Sequence, residues 1–202
     1  MSHYFETPTS DGPRRRVAAT IWGRRFDFVT APGVFSGSRL DLGTAQLLRH
    51  VAPPAATPSC PNPRLLDLGC GFGAIAVALA VCCPTAEVTA VDVNDRALEL
   101  TRLNAATARV TVRVAHPDDV GPEAVFDQIW SNPPIRIGKT ALHELLQRWL
   151  ARLAKGGAAY LVVGKNLGAD SLQTWLEDAG WATTRLASAK GFRVLKVASS
   201  LS

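Results

Sequence analysis

From residue 64 onward, short apolar runs alternate with longer segments of helical periodicity, and this order constrains the fold more than any other feature. Strands that alternate with helices at this spacing form a parallel, doubly wound sheet with right-handed crossovers, which is an α/β fold. The last two predicted strands have no helix between them, so we expect an antiparallel pair. The predicted strands are 65–68, 87–93, 110–115, 126–131, 158–163, 181–186 and 192–198, and the predicted helices are 74–83, 95–106, 140–153 and 169–179.

The segment that precedes this alternation has a different pattern. Two β-rich runs on either side of a short turn at Gly23 predict a β-hairpin over residues 17–30. A helix is predicted over 44–50, and both Asp41 and Thr44 are suitable N-cap residues for it. We interpret the hairpin and helix as a lid over the main sheet.

Five prolines lie between residues 52 and 63, and a stretch so rich in proline cannot form regular structure. We interpret it as a connector and not as a domain boundary, because 202 residues suit one ordinary domain. The predicted organisation is a single domain over 1–202, with the lid at 1–52, the connector at 53–63 and the sheet at 64–202.

Composition excludes several classes of protein. Apolar residues make up 47% of the chain and charged residues 19%, which is typical of a globular protein. No window holds 18 apolar residues, so we expect no membrane span, and the polar start of the chain is unlike a secretory signal. The four cysteines form no Cys-x-x-Cys pair, so we expect no metal site and no disulfides, as in a reduced, cytoplasmic protein.

The net charge of +5 is unevenly distributed along the chain. The first 60 residues carry seven arginines and four acids, residues 61–130 carry five arginines and nine acids, and the rest carries ten basic and four acidic residues. Two basic ends suit a polyanion such as RNA, and an acidic middle suits the recognition of hydroxyl groups. Scattered, solvated charge is the alternative explanation.

A glycine-rich turn, Gly69-Cys70-Gly71-Phe72-Gly73, joins the first strand of the alternation to its helix. Glycines permit a sharp turn and let backbone amides approach a ligand, while the following helix N-terminus favours anionic groups. Asp92 ends the next strand, where a carboxylate can accept both hydrogen bonds from a ribose diol. Together these features predict a nucleotide-type cofactor.

A second motif, Asn132-Pro133-Pro134, follows the predicted strand 126–131 and should lie at the same edge of the sheet. The prolines remove two backbone donors and leave carbonyl groups as the polar atoms of the loop. An amide side chain beside such a carbonyl suits a planar NH₂ group, whose lone pair is then directed at an electrophile. A rigid turn with Asn132 as a turn former is the alternative.

The glycine turn and its acid resemble the first motifs of class I S-adenosylmethionine-dependent methyltransferases. In that family the turn runs alongside the methionine and ribose part of the cofactor, and the acid binds the ribose. The resemblance implies a Rossmann-like, seven-stranded doubly wound sheet, and S-adenosyl-L-methionine as the cofactor. The cofactor-binding residues that it implies are Asp67, Gly69, Cys70, Gly71, Phe72, Gly73, Asp92, Val93, His116, Pro117 and Asn132.

Asn-Pro-Pro at this position is similar to the motif of amino-group methyltransferases, and the chain resembles their small-domain, RsmC-like branch. This likeness implies methyl transfer to an exocyclic amine, guanine N2 in small-subunit ribosomal RNA, with the RNA or the small ribosomal subunit as partner. It also extends over 3–8, 33–36, 40–44, 132–139, 164–169 and 190–193. The implied catalytic residues are Asn132, Pro133, Pro134 and Ile135, and the implied substrate-binding residues are Phe35, Arg136, Lys139 and Lys165.

The residue after Asn-Pro-Pro departs from the pattern of the two-domain RNA enzymes, which have an aromatic side chain there. This chain has Ile135, so an aromatic ring that stacks on the base would come from Phe35 or Trp130. Either Asp118 or His116 would lie near the cofactor adenine. Methylation of a protein glutamine amide or a small amine is one alternative function, and a non-catalytic, RNA-binding ribosome-assembly factor is another.

Overall fold

The computed structural model of the protein describes residues 12–34 and 39–199. These residues form a two-stranded hairpin and a seven-stranded sheet with helices on both faces. The strands are β1 (Arg15–Ile21), β2 (Arg24–Thr30), β3 (Arg64–Leu68), β4 (Glu87–Val91), β5 (Arg113–Ala115), β6 (Phe126–Ser131), β7 (Leu153–Gly164), β8 (Trp181–Ala189) and β9 (Phe192–Ser199). The α-helices are α1 (Leu42–His50), α2 (Ala74–Cys82), α3 (Asp95–Ala108), α4 (Lys139–Leu150) and α5 (Ala169–Asp178).

The strand order of the large sheet is β5-β4-β3-β6-β7-β9-β8. The first five strands in this order are parallel, whereas β9 runs antiparallel to both of its neighbours. The predicted Rossmann-like α/β sheet, with its C-terminal antiparallel pair and N-terminal hairpin, is therefore confirmed. The winding of the chain reverses between β3 and β6, and open α/β sheets bind their ligands at the carboxyl ends of strands at such a reversal.

The register of β3 against β6 places the two sequence motifs side by side. Leu68 pairs with Ser131 at the carboxyl ends of these strands, and the buried hydroxyl of Ser131 donates a hydrogen bond to the Leu68 carbonyl oxygen at 2.7 Å. The glycine turn begins directly after Leu68, and the Asn-Pro-Pro segment directly after Ser131.

Helices cover both faces of the sheet, so most residues of its central strands are buried whichever face they point to. Leu65 and Leu66 of β3 are both fully buried and belong to separate clusters on opposite faces. The hairpin, α1, α2 and α3 contribute to the first cluster, and α4 and α5 to the second. Because Phe28 of the hairpin lies in the same core as Leu65 of the sheet, we propose that the predicted lid, connector and sheet form a single domain.

The helix α3 begins at residue 95, as predicted, and the residue before it serves as the N-cap. Asn94 is the cap, because its side-chain oxygen accepts a hydrogen bond from the Arg96 backbone N–H at 2.9 Å. Asp95 is the first residue of the helix, and its carboxylate instead contacts the His116 ring nitrogen at 2.8 Å.

The boundary between α4 and β7 also differs from the prediction. The helix ends at Leu150, and β7 begins at Leu153, so that Gly156 and Gly157 lie within the strand and not after the helix. Gly156 has a φ of 77°, and the pairing of β6 with β7 is irregular nearby, so the glycines accommodate a distorted start of the strand.

Within the described ranges, no helix is long and apolar enough to cross a membrane. The same ranges contain no group of three or more His, Cys, Asp and Glu side chains arranged to hold a metal ion. All four cysteines are free thiols.

Candidate active site

A cavity of about 550 Å³ opens at the carboxyl edge of the sheet, where β3 and β6 end. Its wall is formed by the glycine turn, by the segment that follows β4, by the Asn-Pro-Pro segment and by the first turn of α1. Gly33 and Val34 complete one side, and Leu145, Gly164, Leu167 and Phe192 complete the other. The described residues of the hairpin strands do not line it, so the loop after the hairpin, and not the hairpin itself, borders the cavity.

The glycine turn has the left-handed backbone that its sequence predicts. Gly69, Gly71 and Gly73 have φ values of 76°, 55° and 83°, a region that residues with a Cβ rarely adopt. At Gly73 a Cβ would lie 2.8 Å from the Thr101 Cγ2, so this position also needs glycine for close packing against α3. At Gly69 and Gly71, by contrast, the nearest atoms to an added Cβ are 4.0 and 3.9 Å away.

Asp92 holds this turn in place through both carboxylate oxygens. One oxygen accepts a hydrogen bond from the Gly71 N–H at 2.9 Å, and the other accepts one from the Asn94 N–H at 3.0 Å. The Asn94 side chain in turn donates to the Gly33 carbonyl oxygen at 3.2 Å. The acid therefore links the glycine turn, through Asn94, to the loop that contains Gly33.

Asp67 lies beneath the turn and is fully buried. Its Oδ2 accepts a hydrogen bond from the Ala76 N–H at 2.9 Å, at the start of α2, while its Oδ1 has no partner. Burial raises the pKa of Asp67 to about 7, and the nearby Asp92 carboxylate acts in the same direction against the opposing Ala76 bond. Asp67 does not line the cavity. The expected direct contact with the cofactor is therefore replaced by a position behind the glycine turn, where Asp67 binds the start of α2.

The Asn132 side chain makes two contacts with the start of α1. Its Nδ2 donates to Asp41 Oδ1 at 2.7 Å and to Thr44 Oγ1 at 3.1 Å. An amide nitrogen carries two hydrogens, so both donors are occupied and Oδ1 is the polar atom left to face the cavity. Pro133, Pro134 and Ile135 line the cavity beside it.

The structure places the other predicted residues in three groups. Cys70, Phe72, Val93 and Pro117 line the cavity. His116, Lys139 and Lys165 lie outside its wall, with the His116 ring held by Asp95. Phe35 lies outside the described residues, and for Arg136 the structure describes the backbone alone.

The Cys70 thiol packs in the interior and has little nucleophilic character. It is 7% exposed, and its sulfur lies 3.4 Å from the Thr101 hydroxyl. Burial raises the pKa of Cys70 well above that of an ordinary thiol, so the group stays protonated.

Of the two aromatic residues suggested for stacking, Phe35 lies outside the described residues, and the structure argues against Trp130. Trp130 is fully buried and lies in edge contact with Trp22 and beside Tyr160, so it cannot stack on a base. Phe192 lines the cavity instead. The sequence does contain a feature that predicts this position of Phe192. An antiparallel strand begins where its parallel neighbours end, so the first residue of β9 lies at the ligand-binding edge of the sheet.

The cavity fits S-adenosylmethionine by its shape and its chemistry. Gly69 and Gly71 leave open space at the positions that side chains would fill, so a ligand can approach their backbone. Asp92 offers carboxylate lone pairs suited to a ribose diol, next to apolar wall residues such as Phe72 and Val93.

The chain belongs to the methyltransferase small-domain family, whose model matches residues 25–196. The predicted membership in the class I S-adenosylmethionine-dependent methyltransferases is thereby confirmed, and enzymes of this family take their methyl group from S-adenosylmethionine.

Similar proteins include YbxB of Bacillus subtilis (strain 168), which is 29% identical over 198 residues and 96% of each chain. The ribosomal RNA small subunit methyltransferase C of Pseudomonas entomophila (strain L48) is 33% identical over 202 residues, which cover 97% of this chain and 54% of that protein. Among solved structures, the T. thermophilus 16S rRNA N2 G1207 methyltransferase (RsmC), in complex with AdoMet and guanosine, matches 95% of this chain with a TM-score of 0.76 and 25% identity. The chain spans 52% of that structure, and thus about half the length of these two methyltransferases.

Replacement of Asp92 by alanine is expected to weaken cofactor binding. The change frees the Gly71 N–H and removes the predicted ribose acceptor, so the Kd for S-adenosylmethionine should rise roughly ten- to a hundredfold, as for loss of hydrogen bonds to a charged group. Calorimetric titration measures this. Glu87→Ala, at the exposed opposite end of β4, is the matched control, and equal affinities for the two variants would contradict the assignment.

Asp67 gives the stability of the ligand-free protein a definite pH dependence. A carboxyl group with a raised folded-state pKa binds its proton more tightly when folded, so the free energy of unfolding should fall as the pH rises from about 4 to about 7. Asp67→Asn cannot ionise and should show a flatter profile. Denaturant unfolding of both proteins between pH 4.5 and 8 measures the difference, and parallel profiles would show that Asp67 does not titrate in this range.

Proposed function

We propose that this protein transfers the methyl group of S-adenosylmethionine to the exocyclic N2 amine of guanine in small-subunit ribosomal RNA. The observation that carries the proposal is the Asn132 side chain, whose two donors are occupied by Asp41 and Thr44. Its free oxygen is an acceptor at the cavity wall, beside a proline that has no N–H to offer. A site that presents acceptors selects a substrate that presents donors, as an NH₂ group does.

Bound S-adenosylmethionine would supply an electrophilic methyl group on a positively charged sulfur. The chain's own part is to hold the amine. Asn132 Oδ1 and the Pro133 carbonyl would accept its two N–H groups, which turns the nitrogen lone pair out of conjugation with the ring and toward the methyl group. As the nitrogen–methyl bond forms, the sulfur–methyl bond would break, and the methylated nitrogen would then release one of its protons to solvent. Orientation of two reactants in this manner supplies a large share of the rate.

Ile135 and Phe192 are the residues that we assign to the faces of the base. Both line the cavity. A Cβ placed at Gly43 would lie 2.9 Å from Phe192 Cε1 and 3.3 Å from Asn132 Nδ2, so the ring and the amide are close neighbours. An aromatic ring so near the catalytic amide can take the stacking role that Ile135 cannot fill.

Guanine N2 is supported by the similar proteins whose names state their substrate. The T. thermophilus RsmC structure is named for N2 of G1207 in 16S rRNA and contains guanosine. The match to that structure extends over 95% of this chain.

RNA phosphates would meet the basic residues around the cavity mouth. Lys139 begins α4 directly after the catalytic loop, and Lys165 is exposed and follows β7. The Lys165 N–H donates to the Gly191 carbonyl oxygen at 2.7 Å, which brings Lys190 of the same turn near it. With Arg136, these side chains would track the backbone of an RNA whose target base enters the cavity, and a ribosomal substrate agrees with the expected cytoplasmic location.

Asn132→Ala is expected to reduce turnover strongly while the cofactor remains bound. Loss of the acceptor leaves the amine unoriented, so kcat should fall roughly a hundredfold or more, with little change in the Kd for S-adenosylmethionine. The assay measures transfer of labelled methyl to small ribosomal subunits and total RNA from a strain that lacks the protein.

Asn62→Ala, an exposed asparagine in the proline-rich connector, serves as the control. Wild-type turnover in Asn132→Ala would refute the amine-holding role. Label that appears in protein and not in RNA would point to a glutamine amide as the substrate, and cofactor binding without any transfer would indicate a non-catalytic assembly factor.

A further inference from the structure

The contact between Asp41 and Asn132 determines which end of the Asn132 side-chain amide faces the cavity. The two residues are far apart in the sequence, yet Asp41 Oδ1 lies 2.7 Å from Asn132 Nδ2. A carboxylate only accepts hydrogen bonds, so an Asn132 side chain rotated by half a turn would bring two oxygens into contact. The carboxylate therefore permits one orientation of the amide, with its nitrogen toward α1 and its oxygen toward the cavity.

Asp41 is itself held rigidly. It is the N-cap of α1, its Oδ1 accepts a hydrogen bond from the Thr44 N–H at 3.1 Å, and its carbonyl oxygen accepts one from the Ala45 N–H at 2.8 Å. The Thr44 hydroxyl adds a second contact to the Asn132 nitrogen at 3.1 Å. One helix turn thus carries both groups that occupy the donors of the catalytic amide.

The first turn of α1 packs closely against the site at Gly43. A Cβ at Gly43 would lie 2.9 Å from Phe192, 3.0 Å from Asp41 Oδ1 and 3.3 Å from Asn132 Nδ2. Even a methyl group does not fit there without a shift, so the start of α1 is in direct contact with the site and not merely above it.

We propose that Asp41 is a positioning residue for the reaction: it fixes the Asn132 amide so that Oδ1 faces the substrate amine, and it selects donor groups over acceptor groups at that point. A hydrogen bond to a charged carboxylate also polarises the amide and makes its oxygen a better acceptor. The proposal rests on the proposed function for its substrate, but the orientation of the amide is a property of the protein alone.

Asp41→Ser tests the proposal, because serine caps a helix about as well as aspartate does but is too short to reach Asn132. We expect kcat to fall roughly ten- to a hundredfold, as for a misplaced reacting group, with the cofactor Kd and the melting temperature nearly unchanged. Asp41→Asn retains both the cap and an acceptor oxygen, and it should recover much of the lost activity. In an Asn132→Ala background, Asp41→Ser should cause no further loss of kcat, because Asp41 acts through the Asn132 side chain.

A second measurement does not depend on activity. In ¹⁵N-edited spectra of the ligand-free protein, the Asn132 side-chain amide protons are assigned by their loss in Asn132→Ala. They should move upfield in Asp41→Ser as the bond to the carboxylate is removed. Unchanged amide resonances, or a full loss of activity in Asp41→Ser that persists in Asp41→Asn, would overturn the proposal.

The two tests also separate this proposal from the proposed function. A wild-type protein that methylates no RNA contradicts the function, while the amide resonances still report on Asp41. An active wild type whose Asp41→Ser variant keeps its kcat contradicts the role of Asp41 alone.

Discussion

The parallel pairing of β3 with β6 is the constraint on which the site depends. Leu68 and Ser131 end these strands side by side, and the buried Ser131 hydroxyl donates a 2.7 Å hydrogen bond to the Leu68 carbonyl oxygen. From this point the chain continues after β3 as the glycine turn and after β6 as the Asn-Pro-Pro loop. Under the proposed function, a cofactor turn and a substrate loop that leave adjacent strands at one edge would bring the methyl donor and its acceptor close together.

The N-terminal segment borders the cavity and also contacts the two loops of the site. Its hairpin packs into the core on the α2 and α3 face, with Phe28 against Phe72 of the glycine turn. Its helix reaches the Asn-Pro-Pro loop, where Asp41 and Thr44 accept hydrogen bonds from the Asn132 side-chain nitrogen. The segment therefore packs behind the glycine turn and contacts the Asn-Pro-Pro loop from the side, and this contact is the basis of the role that we propose for Asp41.

The sequence alone predicts those elements whose type and position follow from the local pattern of residues. The glycine turn, Asp92 and the Asn-Pro-Pro loop were placed at one edge because each follows a predicted parallel strand, and the final antiparallel pair followed from the absent helix. The contact of Asp41 with Asn132 was not predicted, since a hydrogen bond between distant positions leaves no periodic signal. Trp130 was misjudged because strand periodicity does not say which face of the sheet an adjacent helix or hairpin will cover.

The central proposal is that the cavity presents hydrogen-bond acceptors to an exocyclic amine. The most direct test is the identity of the methylated nucleoside after labelled small-subunit RNA is digested and analysed by mass spectrometry. We predict a guanosine that carries the new methyl group on N2. A methyl group on a ribose hydroxyl would contradict the choice of an amine, and a methyl group on a ring nitrogen without a hydrogen would contradict the acceptor role of Asn132, because such a nitrogen has no hydrogen bond to donate.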